Sequence, residues 1–242
     1  MGAYYFLACL LPPLPGTLGE KLGVPFSETS AILKRNILPG DEYLLRALLY
    51  SVDAANWENF DQGKSLFIEG GVLSKAEFES RRELPDFITA FQEEREKGIR
   101  RSYAFDRLWE IYYEDLLEQA RRSNCRYLLD YVPWEIELRN SLAALRAREV
   151  GRNPEDSTVL GQLRDYDFSS ILTQLKTQKN PLLTERYLDE ERLRRIAHCE
   201  GNSVFALDAI LAYLSRLMIF SRWEKMSAAF DFDNFLYSGG TT

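Results

Sequence analysis

The sequence is poor in the residues that carry most metal and nucleophile chemistry. It has one histidine, His198, and three cysteines, Cys9, Cys125 and Cys199. The cysteines are far apart and odd in number, which argues against a disulfide framework and a cysteine-held zinc, and suits a reducing compartment. His198, Cys199 and Glu200 are adjacent in "AHCEG". Neighbouring residues on a helix point in different directions, so they do not converge on one ion. A triad would have to use His198, and the sequence around it gives no pattern from which to assemble one. No phosphate-cradling glycine loop with Lys-Ser/Thr and no G-x-S-x-G elbow occurs. "DFDNF" (Asp231–Phe235) resembles the start of a calcium loop but lacks the glycine and distal glutamate. No apolar run reaches the roughly 20 residues of a membrane span. "MGAYYFLACLLPPLPG" has no basic start and is broken by Pro12 and Pro13, so it does not read as a signal. A cytoplasmic protein without direct membrane insertion is expected. With 30 Lys+Arg against 37 Asp+Glu, the net charge is −7, the wrong sign for a general nucleic-acid binder. A local basic patch at "KGIRR" (Lys97–Arg101) stays open.

What is present is helix. The composition is 45% hydrophobic and 28% charged, enough for a substantial core. Residues 4–11, aromatic and aliphatic before a double proline, read as a short strand or extended segment. Helices are expected from Ser27 as cap to about Ile37, from Asp41 to Ser51, and from Asp53 to before "DQG". Ser74 and Glu77 stand at capping-box spacing, and Pro85 opens a helix that stops at Gly98. Two long helices follow, about 102–123 and 125–150, the second holding Pro133. "GRNPEDS" (Gly151–Ser157) reads as a linker. Helices at about 168–179 and 182–199 precede a final long one, capped at Ser203, with Ala206, Ile210, Leu214, Leu217 and Met218 as its buried stripe. The fold class is all-α: one helical protein over 1–242, a multi-helix bundle of two or three similar units. About 1–100, 101–151 and 152–242 are the candidate divisions.

A repeat is suggested. Tyr43–Leu45 recurs at Tyr127–Leu129, Asp53 at Glu137, Asn56 at Asn140, and aromatic Tyr50 at Trp134, all 84 residues apart. Chance is the competing explanation, since Leu and Tyr are common here. The final helix, with "SRWEKMS", does not fit the offset.

The helix around "YVPWEIELRNSLAALRAREVG" sets Glu135, Glu137, Arg139 and Asn140 among apolar residues. Glu135 and Arg139 have the favourable spacing for an ion pair along one helix, while Glu137 lies near the opposite side. Such divergence fits a polar brace between helices better than a catalytic carboxylate pair, which must face one substrate. If buried, the Glu135–Arg139 pair must be fully hydrogen-bonded, and Asn140 can bond backbone at a neighbouring element. Partner contact, or an enzyme using Glu135, Glu137 or His198, are the other readings. "RWEK" raises the same choice: Trp223, flanked by Arg222 and Glu224, is packed or is an interface anchor.

These residues carry a resemblance. "WEIELRNSLAALRARE" resembles the acid–x–x–Asn signature, followed within two turns by Arg, of the C-type subunit of V/A-type ATPases (the d-type subunit in eukaryotic enzymes). The matching positions are Glu137, Asn140 and Arg146. "DAAN" (Asp53–Asn56) is similar to an earlier copy, with Gln62 where the Arg would stand. The opening "YYFLACLLPPL" and the closing "RWEKMSAAFDFDNF" resemble the uncharacterised C-like family encoded beside V-type ATPase subunits in bacteria. The resemblance implies a non-catalytic adaptor of three helical units between the central shaft and the membrane ring. It implies no cofactor, no metal and no catalytic residue, with a location on the cytoplasmic side, peripheral to the membrane. This chain is shorter than is usual for the C-type proteins, which bears on whether three units fit.

Overall fold

The computed structural model describes residues 3–99, 101 and 103–229. Among them are ten α-helices, one short 3-10 helix and no strand, an all-α multi-helix fold. In chain order they are α1 (Tyr5–Leu10), α2 (Phe26–Asn36), α3 (Glu42–Asp61), α4 (Lys75–Ser80), α5 (Asp86–Glu96), α6 (Ala104–Arg122), α7 (Arg126–Glu149), α8 (Ser169–Thr177), α9 (Pro181–Cys199) and α10 (Leu207–Ala229). The 3-10 turn, Pro154–Ser157, lies between α7 and α8. "DFDNF" and the end of the closing motif lie outside the described residues, as does Arg100 of the basic stretch.

Four sequence expectations are corrected. Residues 4–11 are helical over Tyr5–Leu10, not extended. The aromatic bias that suggests a strand is context-dependent, and here docking overrides it. The Tyr4 amide donates to the Phe205 carbonyl at 3.1 Å, and the Tyr4 hydroxyl donates to the Asp41 carboxylate. The two helices expected between Asp41 and Gln62 are one, α3. Ser27 sits inside α2, which starts after Pro25 without a side-chain cap. The last helix begins at Leu207, after a turn in which the Ala206 amide meets the Ser203 carbonyl. Ile210, Leu214 and Leu217 of its stripe are buried. Elsewhere local chemistry holds. The Ser74–Glu77 capping box forms in both directions and opens α4.

Pro133 lies within α7 without ending it. A proline there has no N–H for the carbonyl of residue 129. That carbonyl is taken instead by Arg164 Nη2, at 2.9 Å. The helix survives because a side chain from another segment fills the gap. α6 packs on α3, α5 and α7, and α10 packs on α2, α3, α7 and α9. One core runs from Tyr4 to Trp223, and a smaller one joins Trp134 and Leu138 to Phe168, Ile171, Leu175 and Leu188. No described helix is long and apolar enough to cross a membrane.

Candidate functional site

The two acid–x–x–Asn stretches do the same physical job. On α3, the Asn56 amide accepts from the Ile68 N–H at 2.7 Å and donates to the Ile68 carbonyl at 2.9 Å. One turn earlier, Asp53 accepts the amides of Val72, at 2.8 Å, and Leu73, at 3.2 Å. On α7, Asn140 makes the same two bonds to Val159, both at 2.9 Å. Glu137 accepts the amides of Leu163 and Arg164. An asparagine side chain is the one short group that matches a peptide unit donor-for-acceptor. Each helix thus holds an irregular strap, and in each the acid grips the strap four residues beyond the point that the asparagine holds. Gly70 and Gly161, two residues after the gripped Ile68 and Val159, both have positive φ, at 117° and 59°. That is the left-handed turn glycine takes without strain.

The straps close at different distances. Asp53 is fully buried, and a Cβ on Gly71 would stand 2.3 Å from its Oδ1. Burial pushes the Asp53 carboxyl up to about 6, against the pull of its two amide donors and the field of Lys34, with Glu77 adding repulsion.

A third helix joins them. Glu224 on α10 accepts the Leu22 amide at 3.0 Å. Three residues on, the Ser227 hydroxyl lies 3.0 Å from where Gly19 would carry a Cβ, and Gly19 has φ 93°. Here the strap comes from the other end of the chain. The positions two and five residues before each acid line one hollow of about 800 Å³. They are Leu48, Val132 and Ile219, and Ser51, Glu135 and Arg222. At about 100° per residue, the acid points roughly 200° away from the position two before it. The three helices therefore face the hollow with equivalent positions and grip straps with another side.

The charges of "WEIELRN" do not pair with each other as their spacing suggests. Glu135 is bidentate with Arg192 of α9, at 3.0 and 2.9 Å. Arg139 lies 4.8 Å over the Trp109 ring and 3.4 Å from Asp106. A partner on another helix ties two rods, where an i,i+4 pair only decorates one. Trp134 is buried against Phe168. Arg146 is exposed and, among the described residues, joins neither Glu137 nor Asn140. Trp223 is 4% exposed and donates its Nε1 hydrogen to Asp189 at 2.6 Å. Asp189, 1% exposed, also accepts from Arg222 and from Arg192 Nη1, the latter at 2.9 Å. A buried carboxylate needs this many partners to offset lost hydration. Asp189 and Arg192 stand one turn apart on α9, but their ties to Trp223, Arg222 and Glu135, like the approach of Ser227 to Gly19, are remote in sequence and carry no local signal.

The remaining candidates scatter. His198 is exposed, Cys199 is buried with its thiol raised by burial, and Glu200 pairs with Arg216 at 2.6 Å. Among the described residues, no three His, Cys, Asp or Glu side chains are placed to hold a metal ion. Residues 1–232 match the model of the family described as "Protein of unknown function (DUF2764)". No curated protein and no solved structure matches the chain.

Proposed function

From the premise that the chain belongs to the DUF2764 family, we propose that it is a non-catalytic coupling subunit of a V-type rotary ATPase. In this reading it works on the cytoplasmic side, joining the central shaft to the membrane ring, with other V-type ATPase subunits as its partners. It holds no cofactor and reaches the membrane only through the complex. The observation that carries the reading is the set of three acid-gripped helices turning equivalent positions toward one hollow. A part that passes torque must resist shear between its rods. Straps pinned by two-way asparagine bonds on α3 and α7, and the Glu135–Arg192 and Asp189–Arg222 cross-links, supply that resistance. The resemblance of Glu137, Asn140 and the two chain ends to the C-like proteins of these ATPases supports the same reading.

The alternative, a scaffold for an unrelated protein anchored through Trp223 and Arg222, has less behind it. The indole is inside, and Arg222 is committed to Asp189. The test is affinity capture of the tagged chain from its native host, followed by reconstitution with purified shaft and ring subunits. Stoichiometric recovery of V-type ATPase subunits is expected. A clean capture containing none of them, from cells that make the enzyme, would sink the reading.

A further inference from the structure

Arg146, part of the motif resemblance, takes no part in the grip on the strap. It lines a second hollow, an open groove of about 610 Å³. Glu135, Arg139, Leu142 and Arg146 recur at helical spacing, so one face of α7 is the floor. Trp109 and Tyr113 of α6 form one wall, and Leu188 and Arg192 of α9 the other. Ala143 and Ala147 also line it, and such small side chains let another backbone come close.

The charges are uneven. Glu135 and Asp189 satisfy Arg192. Arg139 has one carboxylate, Asp106 at 3.4 Å. Arg146 and Arg152 are exposed at the rim and form no ion pair among the described residues. The groove's other carboxylate, Glu185, lies 3.9 Å from Arg222, so Arg139, Arg146 and Arg152 border a mixed floor in which Leu142, Ala143 and Ala147 are the apolar part, in a chain whose net charge is −7. The α7 part of the groove, Glu135 to Val150, is roughly 22 Å long at 1.5 Å per residue. That is too long for a single small oxyanion and fits about four turns of helix.

We infer that this groove docks an amphipathic helix of a partner protein, its apolar stripe on Leu142, Ala143 and Ala147 and its flanking acids on Arg139, Arg146 and Arg152. The inference stands whether or not that partner is part of a rotary complex.

The test uses the full-length chain and two helical peptides of about 15 residues, long enough for the roughly 22 Å groove. Both carry leucine at every third and fourth position, one with flanking glutamates and the other with lysines. Fluorescence anisotropy gives affinity, and amide shifts of Ala143 and Ala147 give location. The glutamate peptide is expected to bind at least about tenfold tighter, to weaken with salt, and to shift those amides. Arg146→Glu with Arg152→Glu should reverse the preference; both side chains are exposed, so the helical circular dichroism should not change. Equal binding of both peptides, shifts elsewhere, or a preference that survives the charge reversal would overturn the inference. So would displacement of the peptide by inorganic pyrophosphate at lower concentration, which would mark a small-oxyanion site. None of these results bears on capture of ATPase subunits, so the two readings fail separately.

Discussion

The strap on α3 is gripped by an aspartate and passes its helix at Gly71; the strap on α7 is gripped by a glutamate and passes at Gln162. The two residues correspond, each three beyond the residue that the asparagine holds. On α10 the acid is again a glutamate, and the corresponding residue is Lys21. The extra methylene of glutamate lengthens the reach by about 1.5 Å. Beside the longer acids the corresponding positions carry side chains, Gln162 and Lys21, both exposed. The shorter one draws the backbone in until only hydrogen fits. The difference also sorts the burial. Asp53 is sealed from water, whereas Glu137 and Glu224 are half-exposed. One grip therefore depends on close fit and a desolvated charge, and the other two on reach.

The largest effect should come from the asparagines, and it should differ between straps. Val159 is fully buried, so Asn140→Ala orphans an N–H and a carbonyl with no water to replace the amide. At about 1–3 kcal/mol per orphaned group, the loss is roughly 2–6 kcal/mol in urea unfolding. Ile68 is 38% exposed, so solvent can take over there, and Asn56→Ala should cost about 1–2 kcal/mol. Equal losses would show that burial does not separate the two straps.

The next effect is pH dependence at Asp53. Its folded pKa of about 6 exceeds the unfolded value near 3.9, so folding takes up a proton at this site. The contribution is fully present below about pH 4 and is lost as pH rises through about 6. A shift of about two units corresponds to about 3 kcal/mol at most. Unfolding of wild type and Asp53→Asn from pH 4 to 7 isolates it. A stability difference that stays flat over that window would remove the desolvated charge from the account.

Gly71→Ala tests the close fit. Its Cβ would meet carboxylate atoms at 2.3 to 3.1 Å, so strap or helix must shift, at about 1–3 kcal/mol. Adding Asp53→Glu should recover part of that loss, because the longer acid lets the strap stand off. A coupling energy near zero in this double-mutant cycle would separate acid length from the glycine. Gln162→Ala, at the corresponding exposed position, should be neutral within about 0.5 kcal/mol.

How much of this was legible in sequence follows from where the partners lie. Asp53 with Asn56 and Glu137 with Asn140 stand out because each pair occupies one turn and recurs 84 residues on. The straps do not, because they recur at 91 residues, and one offset cannot register both. The all-α class was readable from periodicity, and the Ser74 cap from spacing. The helical state of Tyr5–Leu10 was not, since it rests on contacts with Phe205 and Asp41. Spacing suggested Glu135 with Arg139, but tertiary structure supplied Arg192 and Asp106. In each miss, a contact remote in sequence outweighs a local preference.

Among the three grips, the smallest effect should come from the one that sequence hid most fully. Glu224 and Leu22 are 202 residues apart, so no window along the chain sees both. The bond is single and half-exposed, and the residue three on is Ser227, too short to bond a peptide unit in both directions. Glu224→Ala should therefore cost about 0.5–1.5 kcal/mol, well below Asn140→Ala. The sharper readout is local. Hydrogen exchange at the Leu22 amide should quicken while the Val72 and Val159 amides keep their protection. If the Leu22 amide is as slow without the carboxylate, Glu224 does not hold the strap, and the threefold correspondence shrinks to the two asparagine grips. If all three straps loosen together, they form one cooperative unit, the stiffness that a torque-bearing part requires.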